Sequence, residues 1–283
     1  MNGRLVLVGA GVMLAVVVLE LARPAAGFAS PHCRGVAATV VGTQGPDVLI
    51  GTPGPDVVAG LGGNDVIRGG GGDDRICGGF GRDRVAGGRG KDRLEGGGQA
   101  DRLLGGRGAD ELFGRIGADV ERGGAGDDVF ALFSGDDTLA GGRGRDVLLA
   151  QDFISPRPAT GPLVVDLAAG QASSSLGHDS LNGIEDVQAH WDTGDSVTIT
   201  GTGGPNELVS FGFTSDDAIR GLAGDDEIMS GRGADTDLGG PGDDVIHGGQ
   251  GDDTLDGGPG TDALHGGTGM DTCTNGEAVF MCP

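Results

Sequence analysis

The sequence has few of the residues that fill an ordinary globular core. Among 283 residues there is no tyrosine, one tryptophan and nine phenylalanines. This excludes a conventional core built around aromatic side chains. Positive charge is also scarce, since 19 Lys and Arg residues stand against 42 Asp and Glu residues, for a formal net charge of −23. Because an acidic surface repels phosphates, nucleic acid is not expected as a partner.

Recognisable catalytic motifs are missing as well. The sequence has no HExxH zinc-protease motif, no GxSxG nucleophile elbow, and no glycine-rich loop followed by Lys-Ser or Lys-Thr. Its five histidines form no recognisable catalytic set. The sequence therefore predicts a protein that is not an enzyme; residues 151–200 are the one stretch in which a catalytic unit would fit.

Glycine is abundant, with 63 residues, and it recurs in a nine-residue pattern. Residues 69–113 are five such units: GGGGDDRIC, GGFGRDRVA, GGRGKDRLE, GGGQADRLL and GGRGADELF. Each unit starts with a glycine pair and has an Asp at its sixth place and an aliphatic residue at its eighth. The glycines allow a sharp turn, and the last places form a short strand with one inward residue. Stacked in parallel, many units bury a continuous aliphatic file.

The stacking creates an electrostatic problem at the turns. Stacked strands lie about 4.8 Å apart, so the Asp side chains of successive turns come close together. These like charges repel one another unless a cation lies between them. Carboxylates and turn carbonyls are hard oxygen ligands, which suit Ca²⁺. The predicted cofactor is therefore Ca²⁺.

The units resemble the RTX, or hemolysin-type, calcium-binding repeats of bacterial secreted proteins. The resemblance covers residues 42–150 and 201–274 well, and the segment between them weakly. It implies an all-β fold, a right-handed parallel β-roll in which two nonapeptides form one turn, here as two arrays joined by an irregular β segment. It also implies calcium between turns stacked on the same edge, held by sixth-place Asp residues and by carbonyls of the glycine-rich loops.

The Asp residues that would bind calcium recur every nine residues and divide between two edges of the roll. In the first array one edge holds Asp47, Asp65, Asp83, Asp101, Asp119 and Asp137, and the other holds Asp56, Asp74, Asp92, Asp110, Asp128 and Asp146. In the second array the edges hold Asp217, Asp235, Asp253 and Asp271, and Asp226, Asp244 and Asp262. Each adjacent pair is a candidate site, about ten in the first array and about five in the second. The first two units lack the second glycine, which weakens their claim to a site.

Two units interrupt the inward aliphatic file. Glu121 takes the eighth place in GRIGADVER, and Asp237 takes it in GRGADTDLG. We expect a one-residue slip in each unit, which would turn Val120 and Leu238 inward instead and distort the coil.

The chain divides into six segments. Residues 1–29 have an early arginine, an apolar run of about 15 residues and small residues suited to cleavage, which predicts a signal peptide; an uncleaved N-terminal anchor is the alternative. Residues 30–41 form an N-terminal cap, 42–150 the first array, 201–274 the second array and 275–283 a C-terminal cap. Residues 151–200 are predicted to be irregular coils that continue the stack, with a flexible linker as the alternative. The predicted location is extracellular.

Four cysteines lie in the predicted mature chain, and an even number in a secreted protein indicates disulfides. We expect Cys273 to pair with Cys282 and Cys33 with Cys77, although other pairings remain open.

His247 and His265 stand 18 residues apart and should stack on neighbouring coils. A Zn²⁺ site there is the alternative to two solvated histidines.

Charge differs between the arrays. Residues 43–150 carry 13 Lys and Arg residues against 18 Asp and Glu residues, whereas residues 201–275 carry 2 against 15. The second array is therefore expected to depend more steeply on calcium.

The predicted function is a secreted calcium-binding protein that folds on export, with a surface adhesin or scaffold as the alternative and a cytotoxin as a third hypothesis. Calcium ions are the expected partners, beside an unidentified cell-surface or matrix partner, and no stable membrane insertion is expected.

Overall fold

The computed structural model describes residues 31–151, 160–191, 194–212 and 214–282. The predicted signal peptide lies outside the described residues. The described residues form strands and turns without a helix, so none of them belongs to a helix that could span a membrane. The all-β prediction is confirmed.

The strands are short and evenly spaced. Up to residue 151 they are β1 (His32–Cys33), β2 (Val36–Ala37), β3 (Val40–Val41), β4 (Val48–Ile50), β5 (Val57–Ala59), β6 (Val66–Gly71), β7 (Arg75–Phe80), β8 (Arg84–Arg89), β9 (Arg93–Gly98), β10 (Arg102–Arg107), β11 (Glu111–Ile116), β12 (Val120–Ala125), β13 (Val129–Ala131), β14 (Thr138–Arg143) and β15 (Val147–Gln151). The middle segment adds β16 (Leu163–Asp166), β17 (Gln171–Ser174), β18 (Gly177–Asn182), β19 (Asp186–His190) and β20 (Val197–Thr200). The rest are β21 (Glu207–Ser210), β22 (Ala218–Arg220), β23 (Glu227–Arg232), β24 (Thr236–Leu238), β25 (Val245–Gln250), β26 (Thr254–Asp256), β27 (Ala263–Thr268), β28 (Thr272–Thr274) and β29 (Ala278–Phe280).

Two long sheets form the walls of a β-solenoid. Sheet 1 has 14 strands in the order β28-β26-β24-β22-β20-β16-β17-β18-β14-β12-β10-β8-β6-β4, and sheet 2 has 13 in the order β29-β27-β25-β23-β21-β19-β15-β13-β11-β9-β7-β5-β3. Within the arrays, neighbouring strands are parallel and a residue pairs with the one 18 positions on, as Ile67 does with Val85. The pair β21 and β23 is the exception, with a separation of 20. One coil therefore consists of two nonapeptides, as predicted.

Glycine is required at the turns because the coils approach closely there. Gly88 has a φ of 123°, in the left-handed region. A Cβ at this position would also collide with the carbonyl oxygen of Gly70 on the neighbouring coil. Any other residue would strain the backbone and separate the two coils.

The space between the sheets is filled by the eighth-place side chains. They form one buried file that runs through both arrays and the middle segment. Among its members are Val58, Ile67, Ile76, Val85, Leu94, Leu103, Leu112, Phe130, Leu139, Leu148, Leu208, Ile219, Ile228, Ile246, Leu255 and Leu264. This file supplies the continuous core that no single unit could provide.

The expected slip at the two irregular units is wrong. Glu121 pairs in register with Leu103 and Leu139, and Asp237 pairs with Ile219 and Leu255. Both acids point inward, with exposures of 1% and 0%, while Val120 and Leu238 are only half-buried. A slip of one residue would turn every side chain of the strand to the opposite face, so the ladder keeps its register and buries the acid.

The middle segment lies in the same two sheets. Strand β18 pairs in parallel with β14, β17 pairs antiparallel with both β16 and β18, and β16 pairs in parallel with β20. Trp191, the single tryptophan, is buried here and donates its Nε1–H to the carbonyl oxygen of Gly161 at 2.9 Å. The described residues of this segment therefore continue the stack rather than form a separate linker.

Disulfides lie near both ends of the stack. Cys33 pairs with Cys77, which ties the β1–β2 hairpin to strand β7, and Cys273 pairs with Cys282. Both pairings match the expectation from sequence.

The inward file predicts a sharp contrast between two leucines. Leu94 is fully buried, whereas Leu104 is 47% exposed on the outer face. In saturating calcium, Leu94→Ala should lower the free energy of unfolding by about 2–5 kcal/mol, because it leaves a cavity between the sheets. Leu104→Ala should change it by less than about 0.5 kcal/mol. Guanidinium denaturation measures both, and equal losses would contradict the assigned faces.

Candidate metal-binding edges

The predicted Asp residues lie in two files along the turns. We call them edge 1, which precedes the strands of sheet 1 and contains Asp47 and Asp217, and edge 2, which precedes the strands of sheet 2 and contains Asp56 and Asp226. Along each file, Asp Oδ1 accepts a hydrogen bond from the backbone N–H of the Asp one coil earlier. Asp74 N donates to Asp92 Oδ1 at 2.9 Å, for example. The structure thus brings together the residues that the nine-residue period assigned to each edge.

The edges also recruit acids that the period did not reveal. Asp179 continues edge 1 by accepting from Asp137 N at 2.8 Å, and Glu185 continues edge 2 by accepting from Asp146 N at 2.8 Å. Glu277 ends edge 2 by accepting from Asp262 N at 2.7 Å. These contacts span 42, 39 and 15 residues, so no fixed spacing in the sequence could have found them.

The second carboxylate oxygen is the exceptional feature of both edges. In fifteen of the nineteen predicted Asp residues, Oδ2 is buried and has no hydrogen-bond partner among the described residues. These residues are Asp65, Asp74, Asp83, Asp92, Asp101, Asp110, Asp119, Asp128, Asp146, Asp226, Asp235, Asp244, Asp253, Asp262 and Asp271. A buried oxygen without a donor costs about 1–3 kcal/mol, and more if it is charged. A repeated defect of this kind indicates a ligand that satisfies it.

The surroundings of these oxygens fit a hard cation. A Cβ on Gly69 would meet both Asp74 Oδ2 and the carbonyl oxygen of Gly87, so the two oxygens converge beside the bare α-carbon. The same arrangement recurs at Gly105 with Asp110 and Gly123, and at Gly239 with Asp244 and Gly257. Among the described residues no three His, Cys, Asp or Glu side chains converge on one point, so a cation here would take the rest of its ligands from backbone carbonyls. All of these donors are oxygens, as Ca²⁺ requires.

A comparison with protein families identifies the repeat. The model described as "RTX calcium-binding nonapeptide repeat (4 copies)" matches residues 50–85, 78–112, 86–121, 113–148, 211–237 and 238–273. The chain belongs to this RTX family. No curated protein matches the chain. The family match and the unpartnered Asp oxygens agree on calcium-binding repeats in a β-solenoid, while the individual ligands remain predictions.

Three units at the beginnings of the two RTX arrays satisfy this oxygen without a metal. Asp47 Oδ2 accepts from the backbone N–H of Thr43 at 2.6 Å, and Asp56 Oδ2 accepts from that of Thr52 at 2.5 Å. At the start of the second array, Asn206 stands in the Asp place and its Oδ1 accepts from Thr202 N at 2.7 Å. A threonine in the second place therefore supplies the missing donor, which explains why the first two units are poor candidates.

Burial raises the pKa of many carboxyls on the RTX edges, which favours their protonated form. It raises the pKa of Asp101 to about 8, against a smaller lowering by the N–H of Asp83, and the nearby charges of Asp119 and Asp83 add to the rise. The pKa values of Asp110 and Asp235 rise to about 7, again mainly through burial. A bound cation would remove this preference by favouring the charged carboxylates.

The two inward acids lie beside edge 1. Glu121 Oε1 accepts from Gly114 N at 2.6 Å, while its Oε2 has no partner among the described residues. Burial raises the pKa of Glu121 well above its usual range, and Asp137 and Asp119 add to the rise. Asp237 accepts from Ser230 Oγ at 2.6 Å, and its pKa is raised well above the usual range, chiefly by burial. Each acid therefore adds a carboxyl group to an already acidic edge.

The histidine pair forms a stack rather than a convergent site. The rings of His247 and His265 lie 4.5 Å apart at an interplanar angle of 11°, and Phe280 extends the stack at 4.8 Å. Burial, with a contribution from His265, lowers the pKa of His247. Parallel rings favour the interpretation as outer-face histidines over a Zn²⁺ site.

An isosteric substitution tests the edge. Asp92→Asn keeps the acceptor for Asp74 N but replaces the unpartnered Oδ2 or its equivalent with an NH₂ group, which repels a cation. We expect the count of bound Ca²⁺ to fall by about one or two ions, because Asp92 borders two adjacent pairs. Asp73→Asn is the matched control, since exposed Asp73 accepts from Lys91 N but lies outside both files. Calorimetric titration measures the number of Ca²⁺ ions bound per chain. Equal numbers for both variants would contradict the assignment of Asp92 to the metal-binding edge.

The raised pKa values predict an unusual pH dependence for the calcium-free chain. Below the ordinary Asp pKa of 3.8 these carboxyls are protonated in both the folded and the unfolded chain, so they impose no penalty. Between about pH 4 and pH 8 the unfolded chain releases protons that the folded edges retain, so the free energy of unfolding should fall as pH rises. Circular dichroism of metal-stripped protein at several pH values measures this, because the folded fraction should be largest near pH 4 and should decrease towards pH 8. A free energy of unfolding that increases across this range would refute it.

Proposed function

We propose that this protein is a secreted calcium-binding β-roll that folds when it meets extracellular calcium. The observation that carries the proposal is the row of buried, unpartnered Asp Oδ2 atoms on both edges. Calcium bound there would neutralise the carboxylates and link successive coils. The residues that would hold it are the sixth-place Asp residues together with carbonyls of the glycine-rich turns.

The architecture makes folding depend on the cation. Each coil contacts only its neighbours, and the apolar file is one residue wide on each strand. The buried file therefore provides little stabilisation with which to offset the repulsion between carboxylates along the edges. Sites of extracellular calcium modules have Kd values of about 10⁻⁴–10⁻³ M, far above the calcium level inside cells. The chain would therefore remain unfolded before export and fold outside the cell.

The two arrays should differ in their need for calcium. Described ion pairs of the first array include Arg115–Glu95 at 2.9 Å and Arg34–Glu95 at 2.8 Å, from the N-terminal cap. None of the described ion pairs lies within residues 201–274, where acids greatly outnumber bases. Surface pairs are individually weak, but the net repulsion left to calcium is greater in the second array.

The proposed role is that of a binding protein or scaffold rather than an enzyme. The RTX match covers the two arrays, and the described part of the segment between them is built from strands of the same sheets. A calcium-rigidified roll with flat outer faces also suits a surface interaction protein, which is our second candidate. The exposed arginines on one outer face favour it.

Hydrogen exchange during a calcium titration tests the proposal on the full mature chain. In excess chelator, backbone amides throughout the roll should exchange freely; with millimolar calcium, those of β6–β15 and β22–β28 should become protected. Protection of β22–β28 should appear at higher calcium than protection of β6–β15, because fewer bases offset its acids. Magnesium at the same ionic strength is the control. Full protection in chelator would contradict calcium-dependent folding. Protection of both arrays at the same calcium concentration would contradict the proposed difference between them.

A further inference from the structure

One outer surface of this acidic protein is strongly cationic. On sheet 1 of the first array, seven arginines occupy outward places of the strands or their exposed ends. We call this surface the arginine face; its members are Arg68, Arg84, Arg89, Arg102, Arg107, Arg122 and Arg143. All seven are exposed. The parallel register aligns Arg84 with Arg102 and Arg89 with Arg107, so these four charges form two short columns along the solenoid axis, and the other three lie around them.

The arginine face has no acids of its own. The outward places of β6, β8, β10, β12 and β14 contain no Asp or Glu, and none of the seven arginines forms an ion pair within the described residues. Exposed acids in the neighbouring turns include Asp73, Asp127 and Asp136, whose Oδ1 atoms accept backbone N–H groups of the next coil.

The opposite wall is different. On the outer face of sheet 2, Glu111 pairs with Arg93 and with Lys91, and Glu95 pairs with Arg115 and Arg34. Arg93 also lies 4.4 Å from the ring centroid of Phe113. Arg93 and Arg115 of sheet 2 therefore have acidic partners within the protein, whereas the seven arginines of the arginine face have no ion-pair partner among the described residues.

Calcium would control the charge of this face. The sixth-place carboxylates stand in the turns that precede its strands, and in a folded coil whose calcium site is empty their charge would oppose that of the arginines. Filling the edges, as in the proposed function on which this inference rests, neutralises those carboxylates and leaves the arginine columns as the dominant local charge.

We propose that the arginine face binds a linear anionic polysaccharide when the edges are loaded with calcium. Guanidinium groups match carboxylate and sulfate groups through paired N–H donors. The seven arginines are spread over five strands, or roughly 19 Å at the strand spacing, along the solenoid axis, with two aligned pairs on β8 and β10. That shape suits an extended chain with regularly spaced charges.

Other anionic partners fit this surface less well. Leu104 is the single large apolar residue exposed on it between β6 and β14, so it lacks the apolar anchors of a lipid-surface site. Its outward places also have no aromatic side chain on which a nucleic-acid base could stack.

Binding of dextran sulfate to the calcium-loaded full chain tests the proposal, with uncharged dextran as the control polymer. Arg102→Gln/Arg107→Gln should weaken binding about tenfold and reduce the salt dependence of log K by about two. Arg220→Gln/Arg232→Gln removes the same charge from the second array and should leave binding unchanged. Anionic phospholipid vesicles and single-stranded DNA serve as competing probes.

Each outcome decides one question. Equal weakening by both double variants, absence of dextran sulfate binding, or tighter binding to vesicles or DNA would overturn the proposal. Circular dichroism and calcium counting on the same samples separate this from the proposed function. If the protein folds with calcium but does not bind dextran sulfate, the proposed function stands and the polysaccharide proposal fails. If its folding does not respond to calcium, the proposed function itself fails.

Discussion

A carboxylate oxygen that is buried without a donor is the constraint on which this structure depends. From Asp65 onwards, the Asp residues on the edges use Oδ1 to join two coils through a backbone N–H, and fifteen of them keep a buried Oδ2 without a donor. Where no N–H or O–H of the protein donates to that oxygen, protonation or a bound cation can satisfy it. At neutral pH outside a cell, calcium is the abundant choice, and its oxygen-only ligand preference matches the carboxylates and carbonyls of the turns.

The sequence predicted the parts of the fold that obey its period. With two units per coil, as the resemblance to RTX repeats implied, the nine-residue spacing predicted the register, the two edges and the buried aliphatic file. It failed where a side chain contradicts its place. We expected Glu121 and Asp237 to turn outward by a slip, but both stay in register. Shifting the strand by one residue would cost more than burying one acid, because every side chain of the strand would change face. Asp179 and Glu185 escaped notice because an insertion separates them from their neighbours on the edges.

The roll also has two unlike outer walls, which composition alone conceals. A net charge of −23 alone would suggest that the whole surface is acidic. In this protein the acids are concentrated in the edges and in the second array. The parallel register converts a scatter of arginines in the sequence into columns on sheet 1, and places Glu95 and Glu111 among the arginines of sheet 2. Surface chemistry in a solenoid is therefore decided by position within the repeat rather than by totals.

The threonines beside Asp47, Asp56 and Asn206 give this symmetric architecture a direction. Each array opens with a coil whose carboxylate or amide oxygen is already satisfied by its own backbone, and the coils that need an ion come afterwards. Such an opening coil is a template onto which the next can settle as soon as one ion arrives. Order would then spread from the amino end of each array towards its carboxyl end, one ion and one coil at a time.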